Sequence, residues 1–401
     1  MSNIVIKGVE SAEELAAAKD LMARVHFADF YEGMQWLNIS EEGYPEYNRA
    51  HNRILYAEGE LAAALRIFTH TIRIGEARLK MGGFACVTTA GPLRHKGYAA
   101  LLMTDSMRFL HAQGYHVSIL FGIADFYHRW DFASALPEYA SVIDVREAST
   151  VTAPFFKHRR MKPGDIPSVQ RIHTRNDNDT ACSIIRLGGH ISNQWKRWKN
   201  ARVLTDDKGK AVAYFMGQTH GENYTVEEVG VLHYDWCPAV LNACMKLAQK
   251  EFASRIRFTL PPSHLFIRYL LQYRSAHEMH VSRNSNGMLA LVNIEETLEC
   301  MIPEWESQLA NRTDLCAEAT LVVARKPYRI RVHHGAVNVA AGNGINKVSL
   351  SPGELAQLIT GARHIDEILA AKRRALNKAG STLLAAIFPG RTPYVWPIDR
   401  F

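Results

Sequence analysis

The stretch CVTTAGPLRHKGYAALLMTDSMRFL, residues 86–110, joins a β-prone segment to a helix through a basic turn. The apolar and β-branched residues at its start favour a strand, and Gly91-Pro92 ends that strand with a bend. Beyond the turn, apolar residues recur at helical spacing, which predicts a helix with one buried face. The apolar residues of that face are Ala99, Leu102, Met103, Phe109 and Leu110.

The turn itself, Arg94-His95-Lys96-Gly97-Tyr98-Ala99, has the composition of an anion site. The first turn of a helix exposes unpaired backbone N–H groups and the positive end of the helix dipole, so it attracts phosphates. Gly97 allows a ligand to approach the backbone closely, and the three preceding basic residues add positive charge. The pattern Arg-x-x-Gly-x-Ala therefore indicates a diphosphate cradle. An ordinary helix N-terminus explains the pattern alone equally well, and its position between a strand and a periodic helix favours the cradle.

The sequence around this turn is predicted to form the first of three domains, residues 1–155, with an α+β fold. A strand near the N-terminus is followed by a helix that Ser11 and Glu14 begin with a capping box. Hairpin turns are predicted at residues 58–59 and 75–76, and the β-prone segment HVSILFG follows the helix of the opening stretch. The order β-α-β-β-β-α-β predicts a mostly antiparallel sheet.

Two further domains are predicted. Residues 156–290 partly repeat the first order of elements, but HYDWCPAV stands where the basic turn would be, so this domain is interpreted as a degenerate copy. Residues 291–401 contain three β-prone segments followed by helices. The first of these helices begins at a capping box of Ser351 and Glu354, and one long helix is predicted over residues 364–388. The fold class is therefore α+β throughout.

Composition excludes several classes of protein. With 401 residues, 47% of them hydrophobic and 22% charged, the chain can form several cores. The net charge of +7 suits an anionic ligand, and the lack of dense basic runs with interleaved aromatics argues against a nucleic-acid partner. The six cysteines show no CxxC pair or zinc-like spacing, so reduced thiols and no metal are expected. No signal peptide or membrane-spanning run is found, which predicts a cytoplasmic protein without a membrane partner.

The segments VTTAGPLRHKGYAALLM and HVSILFGIADFYHRWDF resemble the acetyl-coenzyme A signature of the GNAT (Gcn5-related) N-acetyltransferases. The three-part layout and the final Asp-Arg-Phe resemble the Eis (enhanced intracellular survival) branch of that superfamily. The resemblance spans the chain and is most specific over residues 84–132 and at the C-terminus. It implies tandem GNAT-like domains, the second without the cofactor turn, and a sterol carrier protein-like C-terminal domain. It also implies acetyl-coenzyme A as co-substrate and a homo-oligomer, hexameric in the relatives.

The resemblance implies roles for individual residues of the first domain. The strand before the turn is expected to pair with the pantetheine arm of the cofactor, and the turn to bind the diphosphate. Tyr127 is expected to protonate the coenzyme A thiolate, with core packing among its aromatic neighbours as the alternative. Asp131 stands where the family usually has Gly. The expected cofactor residues are Val87, Thr88, Thr89, Arg94, His95, Lys96, Gly97, Tyr98, Ala99, Ala100, Gly122 and Ile123.

The C-terminal residue is also expected to take part in the reaction. In Eis-like proteins the terminal carboxylate reaches the active site, which implies that Phe401 acts as a base or positions the protonated amine. Aminoglycoside-acetylating relatives have an acid before the terminal Phe, whereas this chain has Arg400, which argues against polycationic antibiotics. The acceptor pocket is expected in the aromatic segment after the first helix. Its expected residues are Phe27, Asp29, Phe30, Glu32 and Trp36.

The sequence thus predicts an acyltransferase that moves an acetyl group from acetyl-coenzyme A to a primary amine by direct attack. Two alternatives remain open: a protein lysine acetyltransferase, and a non-catalytic module that binds coenzyme A or a lipid. A deep pocket around Trp36 would favour a small-molecule amine, and an open groove would favour a protein.

Overall fold

The structure is a computed structural model and describes residues 3–42, 46–153, 156–178, 180–373 and 375–401. Contacts divide the chain into two units. The first unit contains Met1–Leu136, Ser282–Arg391 and Phe401, and the second contains Pro137–Val281 and Thr392–Arg400. The predicted boundary at residue 155 lies outside the described residues, and the units divide the chain at positions other than 155 and 290.

The first unit begins with the predicted order of elements and one additional helix, Phe30–Glu42. The predicted capping box is confirmed: the Ser11 hydroxyl accepts a hydrogen bond from the Glu14 N–H at 3.1 Å, and the Glu14 carboxylate accepts from the Ser11 N–H. Both predicted hairpin turns are present, with Gly59 and Gly75 in left-handed conformations. The elements are β1 (Ile4–Gly8), α1 (Ala12–His26), α2 (Phe30–Glu42), β2 (Asn52–Ala57), β3 (Glu60–Ile74), β4 (Ala77–Thr89), α3 (Tyr98–Ala112), β5 (Val117–Gly122) and β6 (Ala133–Leu136).

The second unit consists mainly of the middle of the chain. The elements are β7 (Glu138–Asp144), α4 (Val145–Ala148), β8 (His158–Arg160), α5 (Ile166–Asp177), β9 (Ser183–Ile184), α6 (His190–Asn193), β10 (Ala201–Thr205), β11 (Ala211–His220), β12 (Asn223–Val231), α7 (Cys237–Lys250), β13 (Arg255–Phe258), α8 (Leu265–Leu270) and β14 (Ser275–His280).

The C-terminal part of the first unit contains the remaining elements. The second capping box is confirmed, with the Ser351 hydroxyl accepting from the Glu354 N–H at 3.1 Å. The helix predicted over residues 364–388 is two helices, because Asn377 caps the second one through a hydrogen bond from the Gly380 N–H at 2.8 Å. The elements are β15 (Asn286–Leu291), α9 (Ile294–Cys300), α10 (Ile302–Leu309), β16 (Cys316–Val323), β17 (Lys326–His333), β18 (Ala336–Ala341), β19 (Lys347–Leu350), α11 (Pro352–Thr360), α12 (Ile365–Ala371) and α13 (Lys378–Ile387).

The sheets combine strands from parts of the chain that the predicted domains separate. The main sheet of the first unit runs β1-β2-β3-β4-β5-β15-β6, and that of the second runs β14-β7-β13-β12-β11-β10-β8. Thus β7, which the prediction assigns to the first domain, lies in the second sheet, and β15 lies between β5 and β6. Hydrophobic periodicity identifies a strand but not its sheet. A third sheet, β18-β17-β16-β19, lies in the C-terminal part of the first unit.

The helix α3 packs as its periodicity predicts. Leu102, Met103 and Leu110 are buried, and Ala99 and Phe109 are half-buried. This packing holds the N-terminal end of α3, with the basic turn, next to the end of β4. Across the described ranges, we find no helix that combines the length and the apolar character needed to cross a membrane.

Candidate active site

The first unit has an opening in its main sheet between β4 and β5. The two strands pair in parallel from Met81 opposite Val117 to Phe84 opposite Leu120. Beyond that point, β4 continues along β3, whereas β5 continues along β15 as far as Gly122. The facing edges of β4 and β5 are therefore not joined in the described ladder beyond Phe84. An extended ligand can bind between such edges through backbone hydrogen bonds.

A β-bulge in β4 lies at the start of this opening. Ala64 and Arg66 of β3 lie opposite Thr88 and Ala85, so two steps along β3 match three along β4. Cys86, within the bulge, has a φ of 50°, a left-handed conformation that costs a non-glycine residue roughly 1–2 kcal/mol. A bulge leaves its extra residue outside the ladder, so the bulge can offer a backbone donor to a ligand at this point.

The basic turn leads into α3 as the sequence predicts. Gly97 is the N-cap residue, with a φ of 82° at which any side chain would be strained, and no side chain caps the helix. The ladder of α3 begins with the Leu101 N–H, which donates to the Gly97 carbonyl at 3.1 Å. The N–H groups of Tyr98, Ala99 and Ala100 lie in the first turn, where a helix offers no acceptor. Since the first turn has no acidic residue, its positive dipole end is available to an anion.

A cavity of about 690 Å³ lies beside the turn. Arg94 and Arg129 line it, and among the described residues no Asp or Glu does, so the cavity attracts anions. The predicted cofactor residues in its lining are Val87, Thr89, Arg94, His95, Gly97, Tyr98, Ala99, Ala100 and Ile123. The lining also includes Val25, His26, Phe126 and Arg129, which the sequence analysis did not identify.

Three of the predicted cofactor residues lie outside the lining of this cavity. Thr88 is buried, because alternate residues of a strand face opposite sides and its neighbours in β4 face the cavity. Lys96 is exposed in the turn. Gly122 ends β5 directly beneath the ring of Tyr127, so that a side chain at Gly122 would overlap the ring.

His26 lines the cavity and contacts the backbone of β4. Its Nε2–H donates to the Val87 carbonyl at 3.2 Å, and desolvation lowers the pKa of the ring although this hydrogen bond opposes the shift. The imidazole is therefore neutral at pH 7 and uses its proton to fix β4. No local sequence signal connects a residue at the end of the first helix to a strand so far along the chain.

Tyr127 is buried among aromatic rings. It begins a 3₁₀ turn, is 8% exposed, and packs against Phe126 and Phe132 with ring centroids 4.9 and 6.3 Å apart. Burial raises the pKa of Tyr127 to about 12, with a smaller contribution from Cys86. Burial also raises the pKa of the Cys86 thiol to about 11. The phenol is thus protonated at physiological pH and can donate a proton in a region that disfavours anions.

Phe401, the last residue, lies in the first unit against β3, β4 and β5. Its ring stacks on Phe68 at 5.5 Å and on His70 at 6.0 Å, and it meets Phe121 at 6.3 Å with a large angle between the planes. Gly83 of β4 lies beneath this ring, and a side chain there would overlap it. Other residues packed in this aromatic cluster are Trp36, Tyr47, Ala85 and Cys86.

Two of the predicted acceptor residues join the aromatic cluster around Phe401. Trp36 meets Phe68 at 5.9 Å between ring centroids, and Phe27 packs on Trp36 at 5.7 Å. The aromatic segment that contains Phe27 and Trp36 is therefore connected to Phe401 through the ring of Phe68.

The other three predicted acceptor residues have positions explained by helix α2. The Asp29 carboxylate caps α2, with Oδ1 accepting from the Glu32 N–H at 2.8 Å. Glu32 is exposed, and the ring of Phe30 is covered by the Arg24 guanidinium at 4.8 Å. Of these three, Phe30 packs against the same hydrophobic cluster as Trp36, whereas Asp29 and Glu32 lie at the N-terminal end of α2.

The structure adds Phe68, His70, Phe121 and Gly83 to the residues around the candidate site. The sequence contains one signal for them, the pair Gly82-Gly83 in a predicted strand, because glycine in a strand interior often marks the close approach of another group. The three other residues belong to apolar strand patterns that do not distinguish a site from a core.

Comparisons with known proteins find similarity in sequence to a family model and in fold to solved structures. Residues 11–135 match the family model described as acetyltransferase (GNAT) domain. The solved GCN5-related N-acetyltransferase from Kribbella flavida is 17% identical, with a TM-score of 0.77 over 100% of this chain and 99% of that one. The GCN5-related N-acetyltransferase from Anabaena variabilis is 15% identical with a TM-score of 0.77, and Eis1 from Mycobacterium abscessus is 14% identical with 0.66, each over 100% of both chains. No curated protein shows significant similarity to the sequence.

At these identities the solved structures show the fold alone. That fold is mixed α+β, as predicted, and the likeness, which includes the Eis protein, covers the whole chain. The family model identifies the first part of the chain from its sequence, and it confirms the resemblance to the GNAT superfamily and the enzyme class. Residues 11–135 therefore form a GNAT acetyltransferase domain.

Proposed function

We propose that the protein transfers the acetyl group of acetyl-coenzyme A to a primary amine by direct attack of the amine on the thioester. The observation that carries this proposal is the opening between β4 and β5, with the cationic turn beside it and the bulge at its start. Coenzyme A has a diphosphate, an extended arm with two amides, and a terminal thiol. These three parts match the turn, the strand edge and the bulge in that order.

In this proposal the cofactor is held mainly by backbone groups. The diphosphate accepts hydrogen bonds from the first N–H groups of α3, and Arg94 and Arg129 neutralise part of its charge. The amides of the arm pair with the edge of β4 at Val87 and Thr89. Because backbone donors and acceptors lie at fixed spacing along a strand, this pairing would place the thioester at a defined distance from the turn.

The reaction forms a bond between the amine nitrogen and the acetyl carbon, and it breaks the bond between that carbon and the thioester sulfur. A backbone N–H of the bulge, at Val87, donates to the carbonyl oxygen as negative charge develops there. The bound ammonium first loses one proton to solvent, which makes the nitrogen nucleophilic. After the attack, the nitrogen gives a second proton to the Phe401 carboxylate directly or through water, and Tyr127 gives its phenolic proton to the departing thiolate. The phenolate then recovers a proton from solvent, and the terminal carboxylate releases its own.

The acceptor amine is proposed to bind at the aromatic cluster of Phe401. The rings of Trp36 and Phe68 offer apolar surface and π faces to a protonated amine. The terminal carboxylate would attract the same cation and fix its position before it loses a proton. This site suits an amine attached to an aromatic or aliphatic group.

A displaced terminal carboxylate is expected to lower kcat. One glycine appended after Phe401 moves the carboxylate by about 3.5 Å. Because a misplacement of about 1 Å can cost about 100-fold in rate, we expect a loss of at least about tenfold. The measurement is coenzyme A release, read with a thiol reagent, with aminoglycosides, polyamines, arylalkylamines, amino acids and lysine peptides as acceptors.

The matched control is Phe401→Tyr, which keeps the ring and the terminal carboxylate and is expected to retain activity close to wild type. Undiminished kcat in the extended chain would show that the carboxylate takes no part. If no amine supports release while acetyl-coenzyme A still raises the melting temperature, the binding-module alternative is favoured. Preference for lysine peptides over every small amine would favour the protein acetyltransferase.

Loss of Arg94 is expected to weaken acetyl-coenzyme A binding by about tenfold or more, because a hydrogen bond to a charged group contributes about 1.5–3 kcal/mol. Isothermal titration calorimetry of Arg94→Ala measures the change directly. The control is Arg108→Ala, which removes an exposed arginine from helix α3, beyond the basic turn, and should leave the dissociation constant unchanged. Equal dissociation constants for Arg94→Ala and wild type would contradict the assigned position of the diphosphate.

The remaining expectations from the resemblance accompany this proposal. They are a degenerate GNAT-like middle domain, a sterol carrier protein-like C-terminal domain, assembly into a homo-oligomer and a cytoplasmic location. Each stays a prediction that the catalytic proposal does not require.

A further inference from the structure

A cysteine and two histidines lie together at the end of the strand pair β16–β17, in the C-terminal part of the first unit. The residues are Cys316, His333 and His334, and all three are exposed. One ligand atom of each, the thiol sulfur or a ring nitrogen, lies within 4.8 Å of the other two. Thiolate and imidazole are the ligands that Zn²⁺ takes most often in proteins.

The strand register brings the first two ligands together. Cys316 and His333 are direct partners in the antiparallel pair, and the next pair on the same face is Glu318 with Arg331. Directly opposite residues of an antiparallel pair have Cβ atoms about 4.5–5.5 Å apart, so their side chains can reach one atom between them. Both side chains face solvent, which leaves room for an ion and its water ligands.

The third ligand belongs to the two-residue turn between β17 and β18, a turn type that has positive φ at both of its residues. Neighbouring residues of a regular strand face opposite sides, which would separate the rings of His333 and His334. His334 instead has a φ of 50°, and Gly335 after it has a φ of 83°. The ring centroids of the two histidines are consequently only 4.3 Å apart, on the side of Cys316.

The tautomer of His334 is fixed by a hydrogen bond to the backbone. Its Nδ1 lies 2.8 Å from the Thr313 carbonyl, which can only accept, so Nδ1–H donates and Nε2 keeps its lone pair. Metal-binding histidines usually donate their second ring N–H to a carbonyl or carboxylate in this way. The fixed tautomer of His334 therefore favours a ligand role.

We propose that Cys316, His333 and His334 bind Zn²⁺, with water in the fourth tetrahedral position. With Zn–S of about 2.3 Å and Zn–N of about 2.0–2.1 Å, tetrahedral ligand atoms lie about 3.5 Å apart. Small rotations of these exposed side chains bring the ligand atoms from their present separations to that distance. The spacing of a cysteine and a histidine pair in two strands matches no sequence motif for zinc, which explains why the sequence analysis expected no metal site.

The site can be tested with Co²⁺, which takes the same tetrahedral ligands and absorbs visible light. Chelator-treated full-length protein with reduced thiols should bind one Co²⁺, with a near-ultraviolet thiolate charge-transfer band and visible bands of tetrahedral type. Zn²⁺ should abolish these bands by displacing the cobalt. Since even the loss of a partner outside the first ligand sphere weakens binding by about 10- to 100-fold, we expect His334→Ala to weaken it by about 100-fold or more.

The variant Cys316→Ser should lose the charge-transfer band. Its control is Cys300→Ser, which removes another cysteine near a histidine, since the sulfur of Cys300 lies 3.6 Å from the His116 ring nitrogens. That control should bind cobalt like wild type. Because the three proposed ligands are exposed, their variants are expected to keep the wild-type far-ultraviolet circular dichroism spectrum. A charge-transfer band that survives in Cys316→Ser, or a wild-type spectrum without tetrahedral bands, would overturn the proposal.

Discussion

The Tyr127→Phe variant is expected to release coenzyme A with a kcat about 10²- to 10⁴-fold below that of wild type. The substitution removes one oxygen and keeps the ring that packs on Phe126 and Phe132. Without the phenol, the thiolate has to leave as an anion in an apolar region, which raises the barrier. The dissociation constant of acetyl-coenzyme A should not change, because Tyr127 acts on the sulfur only as the thioester breaks. Steady-state kinetics and calorimetry separate the two quantities.

The pKa of Tyr127 supports this role when it is compared with that of a nearby thiol. Burial raises the pKa of Tyr127 to about 12 and that of Cys86 to about 11. A coenzyme A thiol near the bulge would experience the same burial, so its pKa should rise together with that of the phenol. The difference between the two pKa values then stays small, comparable to the difference between the ordinary pKa values of about 10 for tyrosine and about 8.5 for a thiol. Proton transfer between them therefore remains accessible.

The raised pKa also predicts the pH dependence. The phenol is protonated below its folded-state pKa, so the acid form is present at neutral pH and is lost only as the pH rises towards about 12. Wild-type kcat should consequently rise with pH as the amine loses its proton, without a descending limb in the neutral and mildly alkaline range. Tyr127→Phe should show the same profile at a lower level.

Tyr115→Phe is the matched control for this prediction. Tyr115 is 2% exposed in the same unit, and its hydroxyl forms a hydrogen bond of 2.5 Å with the Thr69 hydroxyl. Its replacement removes a buried hydroxyl that has no place in the proposed reaction, and kcat should stay close to wild type. If both variants lose activity equally, or if Tyr127→Phe keeps it, the acid is another group.

The parts of the fold that the sequence predicts correctly depend on local interactions. The capping boxes at Ser11 and Ser351 and the basic turn before α3 each involve residues within a few positions of one another. Their side chains and backbone preferences are therefore visible as short patterns. The same reasoning places α3 and its buried face correctly, because the pattern has the period of a helix.

The parts that the sequence does not reveal depend on contacts between distant residues. The bulge at Cys86 changes the register against β3 by one residue, and no composition marks it. Strands β7 and β15 each lie in a different sheet from the one that their predicted domain implies. Their position depends on which strands they pair with, and strand propensity does not reveal this. Gly83, in the interior of β4, leaves space for the ring of Phe401, so this contact joins residues that are far apart in the sequence. Helix α2, whose N-terminal end the Asp29 carboxylate caps, is not among the elements that the sequence predicts.

In the second unit, Arg186→Met is expected to lower the free energy of unfolding by about 3–5 kcal/mol. The Arg186 side chain is fully buried, and its guanidinium donates to both oxygens of Glu228 at 2.8 Å and to Asp399 at 2.9 Å. Methionine replaces most of the volume but leaves two carboxylates buried without their cation. Denaturant unfolding followed by tryptophan fluorescence and circular dichroism measures the change.

The loss should depend on pH in a defined direction. Burial alone would raise the pKa of Glu228, but the Arg186 charge outweighs it and lowers this pKa to about 2, and it holds the pKa of Asp399 well below its usual range. A lowered carboxyl pKa contributes stability above the unfolded-state value of about 4, and this contribution is lost as the pH falls through the folded-state value. In the variant, burial raises both pKa values instead, so acid stabilises its folded state. Other titratable groups that face the two carboxylates are His173, His190 and Tyr214.

The control Arg255→Met makes the same chemical change in the same unit at an exposed site. Arg255 is 50% exposed and lies 3.7 Å from Asp144 and 3.3 Å from Glu222, which are also exposed, so its loss should cost less than about 1 kcal/mol. If Arg186→Met costs no more than this control, the buried network does not stabilise the fold. If its cost is large but does not shrink as the pH is lowered below about 4, the loss comes from packing rather than from unpaired carboxylates. Only a large cost at neutral pH that falls on acidification fits a cation that keeps Glu228 and Asp399 ionised in the core.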